Sequence, residues 1–205
     1  MSETAEEQGY PFGAELPVAA ASDGEADQEL APAVSREHAP GELVVPDEYG
    51  VLEGSPNGAR RGVAVIVSRF NGELTTRLLE AALAELERAG VGKDVITVVP
   101  VPGAFELPLA AMAFAKTRRY GCVVALGCVI RGETPHFDYV AGEAASGLQL
   151  AALETGVPVS FGVLTCDTTE QAEARVDKGA EAVRSALEMA DLFAQLRTSA
   201  AAATR

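Results

Sequence analysis

CVVALGCVI, residues 122–130, is an uncharged, almost continuously apolar run rich in valine. A run so short and so apolar is what a β-strand covered on both faces requires, and parallel sheets are covered on both faces because their crossover connections lay helices over them. Three further segments share this composition: GVAVIVS (62–68), DVITVVPV (94–101) and VPVSFGVLT (157–165). A helical segment follows each of the four. In the first, Leu79, Ala82, Leu83 and Leu86 fall at i, i+3, i+4 and i+7, and Gly90 with Gly92 ends the run. Thr168 and Gln171 stand at capping-box spacing, and Val183, Leu187 and Ala190 form one stripe of a last helix. Strands alternating with helices in this way give a parallel α/β sheet with right-handed crossovers.

In such a sheet, ligands bind in the crevice outside the carboxyl ends of the strands. Four polar turns lie there: Arg69-Phe70-Asn71, Pro102 to Glu106, Arg131 to His136, and Cys166-Asp167-Thr168. The third is the richest in chemistry. Arginine and threonine suit an anionic oxygen, and imidazole gains and loses protons near neutral pH. Alternatives stand beside these functional readings. Phe70, leaving an apolar strand, by default caps the apolar layer. Glu106 by default complements the start of a helix. A lone histidine in a turn is by default a surface residue, and an arginine on a helix is by default solvated.

Charge is unevenly placed along the 205 residues: positions 1–62 hold 13 acids against 3 bases, whereas 63–205 hold 17 against 13. The N-terminal stretch is rich in Glu, Ala, Pro, Ser and Gly and has no sustained period, so it cannot bury enough apolar surface to offset its ordering entropy. Residues 1–46 are therefore expected to be a disordered acidic extension, 47–197 the folded domain, and 198–205 a flexible tail. The acidic start resembles neither a secretory signal nor a transit peptide, and no apolar run reaches the ~18 residues of a membrane span. A cytoplasmic protein that binds neither membrane nor nucleic acid is the expectation, the last because the net charge is −14. Cys122, Cys128 and Cys166 form no CxxC pair, which argues against a zinc site or a disulfide framework and for buried thiols.

Four blocks, SRFNGEL (68–74), VPGAFELPLAA (101–111), GCVIRGETPHFDYVAGEAASGL (127–148) and FGVLTCDTTEQAEAR (161–175), resemble in order and spacing the 6,7-dimethyl-8-ribityllumazine synthase family, whose members act in riboflavin synthesis. The resemblance runs from about Tyr49 to Leu196. It implies a three-layer, flavodoxin-like sandwich around a four-stranded parallel sheet. It also implies a short N-terminal strand near Tyr49 to Leu52 that pairs with a neighbouring subunit of an oligomer. The implied reaction is a cofactor-free transferase condensation of 5-amino-6-(D-ribitylamino)uracil with 3,4-dihydroxy-2-butanone 4-phosphate. His136 would move protons. Phe70 would stack on the pyrimidine, with Asn71 beside it. Ala104, Phe105 and Glu106 would line the ribityl chain, and Cys128, Val129 and Ile130 would bind the pyrimidine edge through their backbone. Glu133 and Thr134, Arg175 and, less clearly aligned, Lys178 would hold the phosphate, with Phe161 and Arg175 reaching into an adjacent subunit's pocket.

This sequence departs from the family pattern in two places besides its acidic extension. Glu133 stands where many members carry a small neutral residue, so its backbone is a better phosphate ligand than its carboxylate. Between Arg175 and the Lys178-Gly179 element only Val176 and Asp177 intervene, where many members have a longer loop. That loop lies where rings meet in shell-forming relatives, so a pentamer is favoured over a closed shell of about 60 subunits. Riboflavin synthase is a candidate partner. The rival reading is a shell or compartment protein whose catalysis is incidental; a flavin-binding protein without turnover is a third.

Overall fold

The structure, a computed structural model, describes residues 43–58 and 61–203, with side chains through Ser199. Four strands, β1 (Val63–Ser68), β2 (Ile96–Val101), β3 (Cys122–Ile130) and β4 (Val159–Cys166), form one all-parallel sheet in the order β2-β1-β3-β4. Helices α1 (Gly72–Arg88), α2 (Leu107–Lys116) and α3 (His136–Thr155) make the crossovers, and a short α4 (Thr169–Glu173) and long α5 (Lys178–Ala203) follow β4. The flavodoxin-like, three-layer architecture is the expected one.

Alternation along the strands builds the two apolar layers. Ala64, Ile66, Val123 and Ala125 point to one face, where they pack with Leu107 and Ala111 of α2 and Ala144 and Leu148 of α3. Val63, Val65, Val124 and Leu126 point to the other, against Ala82 and Leu86 of α1 and Val183 and Leu187 of α5. On α1 the buried stripe runs through Leu74, Leu78, Ala82 and Leu86, so Leu79 and Leu83 flank the buried line. Gly90, at φ 83°, ends α1 in the left-handed conformation that glycine adopts without strain, and Val91 N–H donates back to the Leu86 carbonyl. The expected cap is present on α4, where Gln171 N–H donates to Thr168 Oγ1 at 3.3 Å.

The two ends of the domain differ from the sequence reading in different ways. Residues 49–52 are exposed and form no strand within this chain. A strand exists only with a hydrogen-bonding neighbour, so a segment whose partner belongs to another subunit has nothing to pair with in one chain. At the other end, α5 continues through the residues assigned to a flexible tail, as far as Ala203. Alanine is the strongest helix former, so the run 200–203 favours the helix, while the Thr198 and Ser199 hydroxyls bond to the Ala194 and Gln195 carbonyls within it. The acidic stretch lies outside the described residues up to 42, while 43–46 are exposed and in neither helix nor strand.

Candidate active site

The order in which strands are added reverses between β1 and β3: β2 lies on one side of β1, and the connection through α2 returns to place β3 on the other. This switch point opens a crevice at the carboxyl ends of the strands. It holds a cavity of about 540 Å³, within the ~300–1,000 Å³ of small-molecule sites. Its lining comes from three strand ends. Phe70 follows β1, Ala104, Phe105 and Glu106 follow β2, and Cys128, Val129 and Ile130 close β3 ahead of Thr134 and His136. Nine residues singled out from sequence therefore meet in one pocket.

Local chemistry fixes this geometry. Asn71 adopts a left-handed conformation (φ 56°, ψ 47°) at the start of α1, which an asparagine tolerates better than most residues. From there its Nδ2 donates to the Cys128 carbonyl at 3.0 Å, joining the β1 turn to the end of β3. Asn71 thus holds the pocket wall rather than lining the cavity. Glu106 Oε2 accepts from the Gly103 N–H at 2.8 Å, which closes the Pro102–Glu106 turn, and the same residue lines the pocket. Glu106 thus closes the turn at the helix start and also stands on the pocket wall. Pro135 is the N-cap of α3, so His136 is the first helical residue, exposed at the cavity edge.

Arg131 is engaged elsewhere. Its Nε meets Asp167 at 2.9 Å and its Nη1 meets Asp138 at 3.1 Å, with the guanidinium 4.1 Å above the Phe137 ring. It clamps the ends of β3 and β4 to the first turn of α3. Two carboxylates already occupy this guanidinium, so Arg131 does not present the free cation that its place in the turn suggests. The three cysteines are buried. Burial pushes the Cys128 thiol up to about 11, so the pocket cysteine stays protonated and is a poor nucleophile.

Phe161, Arg175, Lys178 and Glu133 do not line this cavity. Phe161 projects, half-exposed, from edge strand β4. Arg175 follows α4, with Nη1 donating to the Gln171 carbonyl, and Lys178 pairs with Glu181 at 2.7 Å. No lysine or arginine lines the pocket. Gly103 and Gly132, from the turns named in the sequence, also line it, as do Phe137, Tyr139 and Val140, which were not singled out. For Phe137 and Val140 a signal existed: their i, i+3 spacing directly after His136 puts both on the pocket face of the first helical turn.

Among the described residues no three His, Cys, Asp or Glu side chains converge as metal ligands would, and no helix is long and apolar enough to cross a membrane. A family model described as 6,7-dimethyl-8-ribityllumazine synthase matches residues 61–194. That span takes in all four strands, the switch-point pocket and every residue singled out above. With well over half of its length matched, the chain belongs to the 6,7-dimethyl-8-ribityllumazine synthase family.

Proposed function

We propose that this protein condenses 5-amino-6-(D-ribitylamino)uracil with 3,4-dihydroxy-2-butanone 4-phosphate to 6,7-dimethyl-8-ribityllumazine, with release of phosphate and water. The observation that carries the reading is the pocket's split character. It is walled by Phe70, Phe105 and Phe137 and edged by one imidazole, yet it holds no cation of its own. An aromatic wall suits the flat pyrimidine, and the backbone at Cys128–Ile130 offers hydrogen-bonding groups at its edge. The substrate amine is itself the nucleophile. Imine formation, loss of phosphate and ring closure then ask the protein for alignment and proton transfer, and on this reading His136 moves the protons.

The phosphate needs a cation, and Arg175, with Phe161, is the group that a neighbouring copy would bring. Arginine's planar fork matches two phosphate oxygens at once. The active unit on this reading is a ring of copies, a pentamer, working without a cofactor in the cytoplasm. The short 174–177 turn between α4 and α5 favours the ring over a closed shell. Mixing the purified protein with the two substrates and recording lumazine absorbance tests the reading directly. Product should accumulate in proportion to enzyme, whereas a rate equal to the uncatalysed condensation would leave a structural role for the ring.

A further inference from the structure

A second concave site lies at the opposite end of the sheet, where residues leading into β1, β3 and β4 meet the flank of α5. This cavity of about 380 Å³ is lined by Arg61, Arg118, Arg119 and Arg197, with Tyr120 and Phe193 on its walls and no carboxylate. Arg61 is committed: its Nη2 meets Asp191 at 2.6 Å and its other nitrogens donate to the Asn57 and Ala190 carbonyls. Arg118, Arg119 and Arg197 form no ion pair with any described carboxylate. We propose that this pocket is an anion site for the diphosphate group of a small organic phosphate, separate from the substrate pocket.

Three guanidiniums gathered without counter-charge repel one another, so the arrangement asks for an anion that spreads charge over several oxygens. A diphosphate does so, and the planar forks suit it. Helix ends do not account for the whole cluster. Arg118 and Arg119 stand just beyond the carbonyl end of α2, which favours cations, but that effect fades within a turn. Arg197 lies more than a turn inside α5, which runs to Ala203. Arg118 also has φ 57°, a left-handed position after a helix that glycine fills without strain. The chain's overall charge of −14 is no obstacle. At ~0.15 M salt, charges beyond about 8 Å are largely screened, and the local arginines set the field inside the cavity. The volume is that of a small-molecule site, whose usual range begins near ~300 Å³.

The test is calorimetric titration of pyrophosphate into the full-length Arg175→Ala protein at constant ionic strength, a background in which the phosphate end of the substrate pocket is disabled. One pyrophosphate per chain should still bind. Adding Arg118→Gly or Arg197→Ala should weaken it about tenfold or more, the effect of losing a charged hydrogen bond. Arg118→Gly relieves a strained backbone position, so it should leave the melting temperature unchanged or raised. On its own it should also leave lumazine formation unchanged. Pyrophosphate affinity that ignores both arginines, or no binding in the Arg175→Ala protein, overturns the proposal. A failed lumazine assay overturns the proposed reaction instead, because the two readouts are independent.

Discussion

His136 sits on the first turn of α3 at the rim of a cavity with an open mouth, and that position limits what its loss can cost. A positioned proton donor is worth on the order of 10²–10⁴-fold in general. Buffer can reach an exposed imidazole's place, so His136→Ala should slow lumazine formation only roughly tenfold while leaving the melting temperature unchanged. Steady-state rates of the purified variant check this, and an unaltered rate removes His136 from the chemistry. Arg175→Ala should act differently, raising the Michaelis constant for the phosphorylated ketone far more than that for the pyrimidine, by the ~1.5–3 kcal/mol of a charged hydrogen bond. Arg175→Lys should rescue it only in part, because an ammonium lacks the fork. Equal shifts in both constants would mark the arginine as structural. Strand-end logic finds the turns that carry Phe70, Glu106, Thr134 and His136 without coordinates, because each follows an apolar strand, whereas Cys128 lies inside β3 and was reached through the family resemblance. Arg131 was misjudged because its charge is cancelled by Asp167, 36 positions away, and by Asp138. No local pattern announces such pairing.

The elements follow from alternation and period, and their exact faces follow from packing. Leu79 and Leu83 satisfy the period of α1, yet the buried line runs through Leu78, Ala82 and Leu86, because α5 lies against α1 at a close crossing. There Gly179 leaves no room for a side chain: a Cβ would stand 2.2 Å from the Leu78 carbonyl oxygen. The same crossing explains a carboxylate inside the helix face. Glu85 is 7% exposed and takes both Arg88 and, at 3.3 Å, Arg184 of α5. The Arg88 hydrogen bond, aided by Arg184 and opposed by burial, holds its carboxyl below the usual value of 4.5. A carboxyl whose folded pKa is depressed adds stability above its unfolded pKa and loses it as pH falls through the folded value. Glu85→Gln should therefore destabilise the protein modestly at pH 7, by about 1 kcal/mol or less, because both guanidiniums it leaves are substantially exposed and stay hydrated. The gap from wild type should narrow below pH 4.5 and close once the native carboxyl is protonated. Denaturant midpoints of both proteins across pH 3–7 measure it, and a gap constant with pH would mean that packing rather than charge holds Glu85.

At the scale of the whole molecule, the aromatic, imidazole-edged pocket and the outward Arg175 and Phe161 stand apart on one chain, and on the proposed reading each chain carries half of a site. Residues 49–52, exposed and in no strand, fit the same reading. Neither is legible from the periodicity of a single sequence if, as proposed, the partner belongs to another copy. If rings form head to tail, the Phe70 of one subunit and the Arg175 of the next share each site, and a heterologous interface repeats around the ring. Subunits carrying Phe70→Ala and subunits carrying Arg175→Ala are each defective at every site when assembled alone. Unfolded together and co-refolded in equal amounts, they should place about a quarter of sites between two unmutated faces, so activity should rise above either parent toward about a quarter of wild type. Native mass measurement of the mixture confirms exchange through rings of intermediate mass. If exchange is verified and activity stays at the parental level, each pocket is completed within its own chain, and the cation must arrive by a rearrangement of the 174–177 turn rather than from a neighbour.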